Sequence, residues 1–193
     1  IKEDINISHI PVILLTARDD RQSQISGYKN GADGYLSKPF EVEMLMELIR
    51  NRLKNREYTK KRYLNAGLIP TPEESTISLT DETFLIKLNS IIQENIENSN
   101  LGIQFICQEV GLGRSSLYNK LKALTGMGAN EYISKLRIEK AITLISGTDM
   151  PFSEIAEKTG FTTPSYFSTA FKQYTGETPS QYKERKKKGL TDQ

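Results

Sequence analysis

The strongest constraint in this chain is an internal repeat. Residues 106–132 and 155–182 align at a spacing of about fifty residues, and self-similarity at a fixed period outweighs any local pattern as evidence of architecture. Ile106 pairs with Ile155 and Gly111 with Gly160. After a one-residue insertion, Ser115 pairs with Ser165, Lys122 with Lys172, Thr125 with Thr175, Gly126 with Gly176 and Tyr132 with Tyr182. One physical account must therefore serve both copies.

In each copy a short amphipathic helix runs into Gly111 or Gly160 and a turn follows. A second helix then starts at Gly113 or at Thr163, where Pro164 suits the first helical position. Leu117, Leu121 and Leu124 in one copy, and Phe167, Phe171 and Tyr174 in the other, recur at i, i+4 and i+7, so they are expected to face inward. The outward face then carries Ser115, Tyr118, Asn119 and Lys122, or Ser165, Ser168, Thr169 and Lys172, with Arg114 at the front of the first helix. Short hydroxyls, an amide and cations are the groups that meet base edges and phosphates. A single such helix would equally well be a solvated surface; duplication favours an interface. Asn bonds adenine at two points, Ser and Thr serve many base edges, and a thymine methyl packs on Thr methyls or on Pro164. Arg114 suits either guanine or a phosphate.

Charge is distributed rather than large. The 193 residues are 37% hydrophobic and 26% charged with a formal net charge of +2, which suits a folded protein of one or two domains. The stretch from Thr80 to Gly111 carries Asp81, Glu82, Glu94, Glu97 and Glu109 against only Lys87. Arg114, Lys120, Lys122, Lys135, Arg137, Lys140, Lys172 and the basic run 185–188 follow it. The single cysteine, Cys107, excludes an internal disulfide and a multi-cysteine zinc site, and its apolar neighbours make it a small core residue. The single histidine, His9, has no second metal ligand or nucleophile beside it and is expected at the surface or in a loop. These residues point away from an enzyme and imply no metal or cofactor. The longest apolar runs fall well short of the ~20 residues that cross a bilayer, so this piece is expected to be cytoplasmic and free of membrane contact. It begins at Ile1 inside what reads as an extended segment, as if cut from a longer polypeptide with room for a membrane anchor.

Before the repeats, residues 10–15 and 34–36 read as buried strands. Residues 19–30 read as a helix stopping at Gly31, and residues 42–53 as a helix with Val42, Leu45, Met46, Ile49 and Leu53 on one face. The charged stretch 50–62 suits a continuation of that helix as a connector, until Gly67, Pro70 and Pro72. The expected segments are 1–56, a linker at 57–79, a helical domain at 80–188 and a tail at 189–193. Thr80, Asp81 and Glu82 open a helix whose stripe is Phe84, Leu85, Leu88, Ile91, Ile92 and Ile96. Thr178, Pro179 and Gln181 cap a last helix in which Tyr182 plugs the core. The basic tail after it reads as a solvated end or as a phosphate contact.

Gly160-Phe161, Ser165-Tyr166-Phe167, Phe171-Lys172, Gly176 and Thr178-Pro179 resemble the second helix-turn-helix of the AraC family. The resemblance covers 80–188, and residues 137–144 are similar to the helix that joins the two units in that family. It implies that both second helices enter successive major grooves on one face of double-stranded DNA. Ser115, Tyr118, Asn119, Pro164, Ser165, Ser168 and Thr169 would then meet bases, and Arg114, Lys120, Lys122 and Lys172 phosphates. The second helix departs from some relatives by offering only short side chains where they carry Arg or Gln.

Residues 12–17, Gly31-Ala32-Asp33-Gly34-Tyr35 and Lys38-Pro39-Phe40 resemble the last two strands and helices of a response-regulator receiver. There Thr16 would contact an aspartyl phosphate, Lys38 would pair with it as a fixed cation, and Tyr35 would swing with phosphorylation. The phosphoacceptor and acidic pair of that family belong to three earlier strands. Thr16, Lys38 and Tyr35 are therefore expected to be relics that neither accept phosphate nor hold Mg²⁺. The expected fold is mainly α: an all-α AraC-type domain with two helix-turn-helix units, preceded by a truncated α/β receiver fragment. A receiver sheet ordered 2-1-3-4-5 would leave a bare strand edge at the cut, so the fragment is expected either to be poorly ordered or to pair with a second copy as a homodimer.

The resemblance implies a sequence-specific transcription regulator, the output module of a hybrid two-component phosphorelay of the kind that commonly controls glycan-use genes in gut bacteria. The rivals are a stand-alone AraC-type response regulator, a repair alkyltransferase that would need a reactive Cys107, and a dimerisation adaptor that never touches DNA.

Overall fold

A computed structural model describes residues 1–17, 21–66 and 79–189. Among them are nine helices and two strands, so the expectation of a mainly α chain holds. The chain forms two compact units, Ile1–Lys87 with Leu112–Met127, and Leu88–Gly111 with Gly128–Gln193.

In the first unit, β1 (Ile13–Thr16) and β2 (Gly34–Ser37) pair in parallel, with Ile13 opposite Gly34 and Thr16 opposite Ser37. The connection is α1 (Arg21–Lys29), the strand–helix–strand order that a parallel pair requires. The Asp33 carboxylate accepts from the Val12 amide at 2.7 Å and pairs with Lys2 at 2.6 Å, tying the approach to β1 to the approach to β2. Leu36 is buried, but Leu14 and Leu15 are 36% and 43% exposed, which corrects the expectation of two buried strands. Parallel strands are buried on both faces only when layers cover them, and two strands with one short helix do not supply that cover.

Next comes α2 (Val42–Ala66), which continues through the charged connector and ends well inside the segment assigned to a linker. Of that segment, residues 67–78 lie outside the described residues. Leu45 and Ile49 are half-buried, whereas Val42, Met46 and Leu53 of the same expected stripe are exposed. α2 lies against α5 (Arg114–Thr125) of the same unit.

The boundary between the units falls within α3 (Leu79–Glu94), after Lys87. Asp81 and Glu82 occupy its first turn, where carboxylates oppose the helix dipole favourably. Phe84, Leu85, Leu88, Ile91, Ile92 and Ile96 are all buried, as the periodicity requires.

The second unit contains α4 (Ile103–Val110), α6 (Ala129–Gly147), α7 (Phe152–Lys158), α8 (Pro164–Thr175) and α9 (Pro179–Lys187). Its core gathers Ile138, Ala141, Ile145, Ile155, Phe161, Phe167, Phe171 and Tyr182. Aromatic rings run through it in series: Phe161 to Phe167 at 5.3 Å, Phe167 to Phe171 at 5.7 Å and Phe171 to Tyr182 at 5.6 Å between centroids. The last two meet edge to face, the arrangement ring quadrupoles favour. The helix starts follow their sequence signals. Thr163 accepts from the Tyr166 amide at 3.1 Å ahead of Pro164, and Thr178 and Gln181 bond reciprocally ahead of α9.

Gly160 ends the first helix of the second repeat with φ +72°, and a methyl group there would stand 2.2 Å from the Ile96 carbonyl oxygen. The Arg137 guanidinium fills the rest of that space, donating to the Asn98 carbonyl at 2.8 Å with its carbon 6.0 Å from the Phe161 ring centre. Burial holds this guanidinium below its ordinary pKa. Gly160→Ala combines a left-handed backbone with a backbone collision, and is expected to cost more than ~2 kcal/mol of stability. Urea unfolding of the two proteins checks this.

Tyr132, near the start of α6, donates to Asn89 Oδ1 at 2.8 Å, and burial pushes its phenol up to about 12. An unfolded tyrosine ionises near pH 10, so this contribution to stability is complete below pH 10 and is lost as pH climbs through 12. The expected slope is about 1.4 kcal/mol per pH unit across that window. Tyr132→Phe should lose about 1 kcal/mol at neutral pH and show a shallower alkaline decline, measured by denaturation between pH 8 and 12.

Candidate nucleic-acid interface

α5 and α8 are each 12 residues long, and each ends at a glycine in the left-handed region, Gly126 and Gly176. A helix of this length buries one stripe and exposes the rest.

On α5 the buried stripe is Leu117, Leu121 and Leu124. Ser115, Tyr118, Asn119 and Lys122 are exposed at i, i+3, i+4 and i+7 and so form one ridge; Tyr118 is 54% exposed. Arg114 is exposed in the first turn, one turn before Tyr118.

Lys120 departs from expectation. Sequence placed it at a phosphate, but it is fully buried, with its ammonium paired to Asp81. Its position supplies the reason: it follows Leu117 by three residues and precedes Leu124 by four, which puts it on the buried side.

On α8 Phe167 and Phe171 are buried, and Pro164, Ser165, Thr169 and Lys172 are exposed, with Ser168 half-buried among them. Tyr174, expected to complete the inward stripe, is instead 43% exposed. Its hydroxyl lies 3.2 Å from the Glu139 carboxylate, and its pKa is pushed up to about 12, by burial first and by that carboxylate second. A phenol ring at the end of the stripe keeps its polar tip toward water. The Thr169 hydroxyl donates to the Ser165 carbonyl at 3.1 Å, which leaves its lone pairs and its methyl group to meet a ligand. Tyr166 is 55% exposed at the margin of this ridge, with its ring 5.7 Å from Phe161. Periodicity gave it no role; its place directly after Ser165 was the available signal.

Lys122 and Lys172 are exposed, and among the described residues neither is held in an ion pair. The basic end of α9 is different. Arg185 pairs with Glu177 at 2.8 Å and Lys188 with Glu184 at 2.7 Å, while Lys183 and Lys187 reach Asp149 at 3.3 and 3.7 Å. The hydrogen bond and charge of Lys183, with that of Lys187, hold the Asp149 carboxyl below the usual carboxylate range.

Thr16 and Lys38 meet at the C-terminal end of the strand pair, where the Lys38 amide donates to the Thr16 carbonyl at 2.7 Å. Thr16 and Tyr35 are half-buried and Lys38 is exposed. Among the described residues, no group of three or more His, Cys, Asp or Glu could hold a metal ion, and no helix is long and apolar enough to cross a membrane. Cys107 is buried, as expected of a core residue.

Comparison with known proteins places this geometry. The model of a family described as "Helix-turn-helix domain" matches residues 106–185. Histidine kinase P4 of Formosa agariphila is 42% identical over 185 residues, which is 96% of this chain but 13% of that kinase. The chain thus spans only a small part of that relative's length. The C-terminal domain of AraT, a response regulator from Geobacillus stearothermophilus, is 31% identical with a TM-score of 0.51, covering 57% of this chain and 88% of that one. A transcriptional regulator from Chromobacterium violaceum, described as containing an AraC-type DNA-binding domain, shares the fold at 24% identity and a TM-score of 0.52, over 56% of this chain and 96% of that one. With two helix-turn-helix units whose second helices each bury one stripe and expose one polar ridge, the chain belongs to the AraC-type family of DNA-binding transcription regulators.

Proposed function

We propose that this chain is the DNA-reading output end of a hybrid two-component regulator. The observation that carries the proposal is the matched pair of exposed polar ridges on α5 and α8, each fixed by the buried stripe behind it. In this reading Ser115, Tyr118 and Asn119 meet base edges in one major groove, and Pro164, Ser165, Ser168 and Thr169 in the next. Arg114, Lys122 and Lys172 hold phosphates; Lys120 does not, because it is buried. α8 offers only short side chains, so it reads methyl groups and single hydrogen bonds, whereas Asn119 on α5 can make the two-point contact with adenine.

A phosphorelay role is supported by the relative that aligns over 96% of the chain and is named a histidine kinase, which favours a hybrid protein over a stand-alone response regulator. The juxtaposition of Thr16 and Lys38 at one end of the strand pair is consistent with a receiver remnant. Control of glycan-use genes and attachment of the parent protein to the inner membrane belong to the same reading. So does a homodimer through the exposed edge of β1, for which light scattering of the chain is the readout and a strictly monomeric chain the contrary result.

Selection of bound sites from random duplexes, followed by binding at graded salt, tests the proposal. A reader of DNA shows a preferred site and a steep loss of affinity with ionic strength; an adaptor shows neither. Asn119→Ala is expected to relax discrimination at one base position by ~1 to 3 kcal/mol, while Lys122→Ala weakens all sequences alike and lowers the salt slope by about 1. Equal, sequence-blind effects from both substitutions would contradict the division of roles.

A further inference from the structure

One charged cluster lies away from the proposed interface, and it is buried. The Lys120 ammonium donates to Ser8 Oγ at 2.7 Å and pairs with the Asp81 carboxylate, to which the Ser8 hydroxyl also donates at 2.7 Å. Ser8 and Lys120 are fully buried and Asp81 nearly so, and the ammonium lies 5.0 Å from the centre of the Phe84 ring. The three side chains come from the segment before β1, the first turn of α3 and the middle of α5, all within one compact unit.

A buried ammonium without partners is strongly disfavoured, so these groups hold one another in place. The geometry also has a direction. At 100° per residue, Lys120 points about 140 to 160° around the α5 axis from Ser115, Tyr118 and Lys122. Leucines alone grip a helix without directional preference, so a helix resting only on Leu117, Leu121 and Leu124 can roll at little cost. A charge-assisted hydrogen bond weakens steeply when its angle or length changes, so it resists that roll.

We propose that Lys120, held by Asp81 and Ser8, is the positioning residue of the first reading helix, so that the segment before β1 takes part in DNA recognition without touching DNA. The proposal rests on α5 reading DNA, and it adds the device that sets which way its ridge points.

The test uses the full chain in four forms: wild type, Ser8→Ala, Ser8→Thr, and the double substitution Asp81→Leu with Lys120→Met. The double form removes both charges together and leaves neither buried alone, so it retains a folded state. Each form is selected against random duplexes. The half of the site read by α5 is identified as the half whose preference changes in Asn119→Ala, and the α8 half by Ser165→Ala. Ser8→Ala and the double substitution are expected to flatten base preference in the α5 half by roughly tenfold, the scale of one charged hydrogen bond. The α8 half should be unchanged, and Ser8→Thr, which keeps the hydroxyl, should retain the wild-type pattern.

Wild-type preference in both halves of Ser8→Ala and the double form, or equal flattening of both halves, overturns the proposal. If the wild type selects no sequence at all, DNA reading itself fails, and hydrogen exchange decides the remaining question. Faster exchange of the α5 amides in Ser8→Ala than in wild type upholds positioning by the cluster, and unchanged exchange refutes it.

Discussion

A short helix can bury only one side, and the placement of both α5 and α8 follows from that constraint. Burying a leucine or phenylalanine side chain is worth about 1.5 to 3 kcal/mol, whereas most exposed polar positions change stability by less than about 0.5 kcal/mol. The stripes Leu117, Leu121, Leu124 and Phe167, Phe171 therefore decide how α5 and α8 sit, and the polar ridges take whatever direction is left. Chemistry at the ridge is free to vary because it contributes almost nothing to folding. This is why two copies of one unit can share core positions and yet present Tyr118 and Asn119 in one copy and Ser168 and Thr169 in the other.

Much of this was legible because it is local. The stripes, the glycine helix ends and the caps at Thr163 and Thr178 are signals written within about two turns of the residues they control, and the repeat shows each of them twice. What was not legible depends on partners far along the chain. Lys120 looks like a surface cation until Asp81, 39 positions earlier, and Ser8, 112 positions earlier, are brought beside it. Tyr174 was misplaced for a smaller reason: periodicity gives a direction, but a phenol at the end of a stripe can keep its oxygen at the surface beside Glu139. β1 was read as buried because its residue types suit a covered strand, yet composition does not say whether any layer covers it.

Electrostatics narrows in the same way. A count of basic residues overstates what is available to DNA, since Lys120 is consumed inside the fold and Arg185, Lys183, Lys187 and Lys188 face carboxylates. Lys122 on α5 and Lys172 on α8, at equivalent positions of the repeat, remain exposed. A modest net charge does not argue against nucleic-acid binding, because where the cations stand matters more than their sum.

On the function proposed above, this one chain meets DNA twice, through α5 and through α8. Hydroxyl-radical footprinting of the chain on its selected duplex measures this most directly. Two protected patches are expected on one face of the duplex, their centres about one helical turn, roughly 34 Å, apart. A single patch, or two patches offset by half a turn onto opposite faces, would contradict it.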